Sequence, residues 1–398
     1  MLAWCLAAAG VLALAGCGRW KPPPLTAGEL VGDSACVSCH QEMSTFAATA
    51  HRRTSSPASP ANIHGSFAAG ENVLRTTNPY LHYRMERRED GFYQTAVVLS
   101  GVDSTERSER FDVVVGSGRK GQSYLYWEGD RLFQLPVSYW VGLGWVNSPA
   151  FPDGTAIFDR AVTPRCLECH ATDVPAAPGA ADSNRFDPQR AALGISCETC
   201  HGAGHEHVER IGSWLSRLRS TAIVSPADLP RERRVEGCAL CHGGIGESLR
   251  PPFSYTPGAP LGEFLRLPVP IPGEPVDVHG NQVALLMRSP CFQGSEMTCS
   301  TCHDVHRPQA DLAEFSATCS SCHETGGDIP ADHGASMPGN CVDCHMPELP
   351  TSAIFTNASG GRVRPSVRTH WIGIYPEAAA SGERSTTPLQ RATERPNR

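Results

Sequence analysis

Residues 194–208 read Gly194-Ile-Ser-Cys-Glu-Thr-Cys-His-Gly-Ala-Gly-His-Glu-His-Val208, and the five residues Cys197–His201 at their centre set the class of protein. The pattern Cys-x-x-Cys-His recurs seven times, as Cys36/Cys39/His40, Cys166/Cys169/His170, Cys197/Cys200/His201, Cys238/Cys241/His242, Cys299/Cys302/His303, Cys319/Cys322/His323 and Cys341/Cys344/His345. With 17 Cys and 16 His in 398 residues, composition alone yields ~0.03 copies. The pattern is the c-type haem attachment signature. Two thiols add across the vinyl groups of one macrocycle, and the adjoining histidine supplies the proximal axial nitrogen. Seven copies imply seven covalently bound haem c.

Other uses of paired cysteines fit less well. Zinc sites take four cysteines, or two cysteines and two histidines, but do not require a histidine directly after every second cysteine. A thioredoxin-like redox role has the same weakness. A disulfide closing a two-residue loop is a strained staple. Three cysteines stand outside the motifs: Cys5, Cys17 and Cys291. Cys291 reads as a small buried thiol.

Residues 1–17 carry an apolar run too short to span a bilayer and shaped like the core of a signal peptide. The run ends in Leu14-Ala15-Gly16-Cys17, which resembles a bacterial lipoprotein box, although no Lys or Arg precedes it. The resemblance implies cleavage before Cys17, lipidation of its thiol and stable anchoring by several acyl chains. An ordinary secretory signal cut near Ala15 is the alternative. Both export the chain to the periplasmic side of a membrane or the cell surface, where haem c is attached. Gly18, rather than Asp, after the lipidated cysteine favours the outer membrane. The net charge of −7, made more negative by haem propionates, excludes nucleic acid as a partner.

The segments that follow are a Pro-rich tether (18–34), a first haem segment (35–70), a haem-free β insertion (71–165), a six-haem core (166–346) and a C-terminal segment (347–398) containing His370 and a disordered tail. In the insertion, Tyr80–Met85, Phe92–Leu99, Phe111–Val115, Ser123–Tyr126 and Arg131–Leu135 alternate like strands of an antiparallel meander. Six motifs within residues 166–346 leave so little polypeptide per macrocycle that haems must pack against one another. The expected fold is a mostly irregular and α multihaem cytochrome, with short helices at the motifs and a small antiparallel β insertion.

Whether an iron conducts or catalyses depends on its sixth ligand. Nine histidines remain after the seven proximal ones: His51, His64, His82, His205, His207, His279, His306, His333 and His370. His306 lies too close to His303 to reach the opposite face of the same haem, and His205 and His207 too close to His201, so distal ligands are exchanged between motifs. The candidate distal set is His51, His64, His207, His279, His306, His333 and His370. His82 falls in the β insertion, and Met346 reads as packing.

The phrases Cys36-Val-Ser-Cys-His-Gln with Ala50-His51, Cys166-Leu-Glu-Cys-His, residues 194–208, Met297–His306, Asn340–Pro347 and Thr369-His370-Trp371 resemble the multihaem c-type cytochromes with doubled motifs. That group includes the tetrahaem nitrification cytochrome and its larger relatives. The resemblance implies distal roles for His51, His207, His306, His333 and His370. Nitrite-reducing relatives end one motif in lysine, and no such motif occurs here. Hydroxylamine-oxidising relatives cross-link a tyrosine to a haem, and Tyr375 is the only tyrosine after the last motif. The leading expectation is therefore an electron carrier rather than a catalyst, exchanging electrons with other redox proteins or a quinol-linked membrane complex. The alternative is a periplasmic oxidoreductase acting on a small nitrogen or sulfur species at one open haem, at the first motif or at Cys238. A third reading makes the chain a membrane-attached subunit feeding a partner enzyme through the β insertion.

Overall fold

The computed structural model describes residues 30–180, 183–211, 222–271, 274–323, 340–358, 361–376 and 389–391. Cys17 with the expected signal segment, residues 18–29 of the expected tether, and His333 lie outside the described residues.

Two antiparallel sheets form the β unit. The first strand, β1 (Ser55–Pro57), belongs with later ones, and β2 (Val73–Arg75), β3 (Leu81–Arg88), β4 (Gly91–Ser100) and β5 (Asp103–Arg110) make a four-stranded sheet in sequence order. β6 (Val113–Val115), β7 (Gly121–Glu128), β8 (Arg131–Gln134), β9 (Val137–Trp140), β10 (Gly144–Asn147) and β11 (Arg160–Ala161) complete a seven-stranded sheet, ordered β1-β6-β7-β8-β11 with β9 on β7 and β10 on β9. Leu81, Tyr83 and Met85 alternate inward along β3, the period-2 pattern of a half-buried strand. They meet Phe111, Tyr124 and Trp145, and the Phe111 and Tyr124 rings stack at 4.4 Å. Gln94 on β4 is fully buried and behaves like an extra backbone unit: its Oε1 accepts from Val137 N at 2.9 Å and its Nε2 donates to Val137 O at 3.2 Å.

On the same sheet, burial would raise the Glu86 pKa, but hydrogen bonds from Arg88, Thr95 and Arg84 outweigh it and hold the value at about 2. A carboxylate with a depressed folded pKa contributes stability above its ordinary value of about 4.3 and loses it as the pH falls through the folded value. Glu86→Gln is expected to destabilise the β unit by about 1–2 kcal/mol at neutral pH. The deficit should disappear near pH 2 in urea titrations followed by tryptophan fluorescence.

The expectation of a mostly irregular and α fold with only a small β insertion is wrong. The described chain forms five antiparallel sheets, a β component about as large as the helical one. Two causes are physical. Asp103–Arg110 is entirely polar and largely exposed, so it lacks the apolar alternation that marks a strand; its charges suit a sheet edge, where they discourage pairing with other chains. After the last motif, Gly361–Arg368 hides its alternation among arginines while burying Val363, Pro365 and Ser366. It pairs with Glu348–Pro350, Thr356–Ala358 and Leu389–Arg391. Residues 389–391 of the expected disordered tail are thus part of a sheet, and the other residues beyond Pro376 lie outside the described ones. This sheet docks on the β unit where Thr356 Oγ1 donates to Asn147 O at 2.5 Å.

The remaining chain carries the motifs on short helices. Cys197–His201, Cys299–Cys302 and Cys341–His345 begin at the first cysteine, capped by Ser196, Thr298 and Asn340 side chains. Arg231–His242, one of the two longest helices among the described residues, instead ends at the motif histidine, and Leu312–His323, the other, carries its motif at the last of its described residues.

Candidate functional site

The structure turns the Nδ1 of several motif histidines toward oxygen. His201 Nδ1 lies 2.8 Å from Val224 O, His345 Nδ1 2.8 Å from Gly373 O and His170 Nδ1 2.9 Å from Thr54 Oγ1. His370 Nδ1 lies 3.3 Å from Arg368 O. An acceptor at Nδ1 fixes the tautomer and leaves Nε2 for a metal. Thr54 carries no sequence signal for this role, and the carbonyls carry none at all.

Three histidine pairs, each from distant parts of the chain, stand opposite one another. Ring centres are 6.1 Å apart for His51 and His242, 6.2 Å for His201 and His306, and 6.2 Å for His303 and His370. A first-row metal sits about 2 Å from an imidazole nitrogen and about 3 Å from the ring centre, so two imidazoles on opposite sides of one iron have centres about 6 Å apart. His279 is the histidine close enough to His170 to influence its charge. Burial lowers the pKa of His51, His170, His201, His242, His279 and His303, and that of His370 to about 4, and so favours the neutral, ligating form.

The surroundings suit a macrocycle. His51, His242, His279 and His303 are desolvated by surrounding protein, yet each keeps open surface. The Cys200 thiol behaves alike.

Motifs distant in sequence adjoin one another. Glu198, inside the third motif and 1% exposed, accepts from Val31 N, Gly32 N and Gly204 N at 2.9, 3.0 and 2.8 Å, tying the first motif's helix to the third's. Asp33 returns the contact by accepting from Cys197 N at 3.0 Å. Arg165, just before the second motif, and Cys169 within it both reach Leu240 O in the fourth. A small cavity lined by Glu168, Thr199, Leu240 and Tyr255 marks where the second, third and fourth motifs converge. The side chains of Cys238 and Cys299 are neighbours, as are those of Cys319 and Cys341. Glu198 is a site residue that sequence reasoning missed; an acidic residue between two motif cysteines was the available signal.

Three of the thioether cysteines named from the motifs stand apart from that convergence. Cys39 and Cys322 are exposed, each with the hydroxyl of the preceding serine, Ser38 Oγ or Ser321 Oγ, 3.9 Å from its sulfur. Cys344 is half-buried within the helix Cys341–His345. None of the three lines the cavity between the second, third and fourth motifs. An even burial of all fourteen thiols is thus not what the polypeptide supplies. The second cysteines of the first and sixth motifs lie at its surface, like the histidines that follow them, His40 and His323.

Other candidates are placed differently. His64 is exposed and packs on Gly118 of the β unit, and His207 is half-buried on the helix His205–Ile211. His205 faces Glu209 through Nε2 at 3.2 Å. His82 sits within β3, opposite Val97. Cys291 is half-buried near Cys302 and Cys319.

Covalent haem attachment and histidine ligation define a c-type cytochrome. Residues 153–202, which hold the second and third motifs, match the family described as cytochrome c554 and c-prime. The match supports a c-type cytochrome that carries covalent haem c and transfers electrons. No curated protein and no solved structure matches the chain. Cytochromes of this type are typically exported or periplasmic, and among the described residues no helix is long and apolar enough to cross a membrane.

Proposed function

We propose that the chain is an exported, lipid-anchored heptahaem cytochrome that conducts electrons through closely packed haems, most of them held by two histidines. The three ring pairs at 6.1–6.2 Å carry this reading. Haem c supplies the one-electron couple; the protein's part is to supply ligands, hold them neutral and set neighbouring motifs in contact. In each pair a motif histidine faces a candidate distal one: His242 with His51, His201 with His306, His303 with His370. His279 serves His170. His40, His323 and His345 draw on His64, His207 and His333. All fourteen motif cysteines, Cys39, Cys322 and Cys344 among them, are thioether positions.

Cys17 anchors the chain at the outer membrane, supported by the sequence Leu14-Ala15-Gly16-Cys17. Its partners are other redox proteins or a quinol-linked membrane complex. Exposure of His40 and His323, together with Cys39 and Cys322, favours those irons as the sites of the second reading, an oxidoreductase acting on a small nitrogen or sulfur species.

Counting spin states by electron paramagnetic resonance and magnetic circular dichroism separates the two. The conducting reading expects every haem low-spin and inert to cyanide. A high-spin iron that binds cyanide or nitrite would overturn it and select the oxidoreductase.

A further inference from the structure

The Nδ1 atoms of His201, His345 and His170 each have an oxygen neighbour, whereas His242 has a side chain, that of Gln282, close enough to influence its charge. Gln282 opens the helix Gln282–Leu286, which packs on the helix ending at His242. Its Nε2 lies 3.2 Å from Val278 O. A carbonyl oxygen only accepts, so the atom facing it must be the amide nitrogen, and the amide orientation is fixed. The other end, Oε1, is then buried and has no hydrogen-bond partner, one of two such side-chain atoms among the described residues. A buried carbonyl without a donor is destabilising, and His242 neighbours this side chain where the two helices pack.

We infer that Gln282 is a positioning residue for His242: its Oε1 accepts the Nδ1 proton of the imidazole, directs Nε2 to the iron and sets the electron-donating strength of that axial ligand. An acceptor at Nδ1 makes the ring a stronger donor, and a stronger donor favours ferric over ferrous iron. The partner oxygen comes here from a side chain, so this haem's potential is open to change by single substitution, unlike those whose acceptor is a backbone carbonyl. His279 lies three residues before Gln282, and the intervening turn is pinned by Asn281 Nδ2 donating to Asp277 O and His279 O. Gln282 thereby also joins the ligand of one haem to the segment carrying the ligand of another.

The inference rests on the reading that His242 and His51 share an iron, and the test separates the two. Holoprotein carrying His51→Ala, Gln282→Leu or Gln282→Glu would be titrated by spectroelectrochemistry and examined by electron paramagnetic resonance. His51→Ala is expected to turn one haem high-spin; if it does not, the pairing itself fails. Given that conversion, Gln282→Leu should raise the potential of one low-spin haem and Gln282→Glu should lower it, with all haems still low-spin. A purely structural role moves both variants the same way or alters spin state, and that result, or unchanged potentials in both, overturns the inference. Gln282→Asn serves should the leucine variant fail to fold: its shortened amide loses the contact and should shift the potential upward.

Discussion

Replacing His370 with alanine is expected to convert one low-spin haem to a high-spin form that binds one equivalent of cyanide, leaving the other haem spectra unchanged. The ring of His370 stands 6.2 Å from that of His303 at an interplanar angle of 28°, and its backbone is held from both sides. Ser289 Oγ donates to His370 O at 3.2 Å, and Ile372 N donates to Ser289 Oγ at 2.8 Å. Ser289 and Thr369 are buried, so the ligand loop has little freedom to bring in a substitute. Alanine removes the imidazole without adding bulk, and water or cyanide takes the position. His82→Ala and His205→Ala are the controls: one ring lies in β3, and the other presents its Nε2 to Glu209. Both should leave the spectra unaltered. A low-spin iron retained in the His370 variant would mean that another side chain faces His303.

The chemistry of the chain is far more legible in its sequence than the architecture is. Seven Cys-x-x-Cys-His units name a cofactor because attachment needs a fixed local spacing, and local spacing is what a linear sequence displays. The pairing of His51 with His242, or His370 with His303, depends on approach over many tens of residues. Counting histidines limits the choices without deciding them. The fourth motif shows the same boundary: it looks open because no histidine follows Cys238 and His242 until His279, whereas the ring opposite His242 comes from upstream, at His51. Exposure is equally invisible, since Cys39 and Cys322 carry the same local pattern as the thiols that are walled in.

Strand content is hidden for a different reason. β3 and β4 are legible because Leu81, Tyr83 and Met85 alternate against a core, but Asp103–Arg110 is a strand because it pairs with β4, not because of its own pattern. Gly361–Arg368 is similar, with Arg at positions facing outward and a proline within it. Thr54 and Gln282 give no sign of their roles as second partners, since each acts on a residue that only tertiary packing brings near.

The same contrast between local and long-range order predicts what haem attachment does for folding. A chain produced without haem should keep the β unit and the cluster of Leu240, Tyr255, Leu261 and Val283 folded, and lose protection at the helices Asp33–Val37, Cys299–Cys302 and Leu312–His323. The β unit owns a continuous core in which Tyr83, Met85, Phe111, Tyr124 and Trp145 are buried against one another. The helix Asp33–Val37 buries no residue, Cys299–Cys302 buries none and Leu312–His323 buries only Ser316. Isolated helices of this length are marginal in water, and such helices persist through tertiary packing of an apolar face. These have almost no protein face to pack, so the macrocycle must supply the apolar surface they cover. Binding that occurs only in the folded state adds directly to its stability, and here the link is covalent. Hydrogen exchange of the haem-free and haem-loaded chains checks this: protection in β3, β4 and β7 should be common to both, and protection at those three helices should appear only with haem. Equal protection of those three helices in both forms would show that the polypeptide alone holds them. Loss of the β unit as well would make the chain one cooperative body nucleated by its cofactors. Between those outcomes lies the expected one, in which a self-sufficient pair of sheets is joined to motif helices whose missing apolar cover is the haem itself.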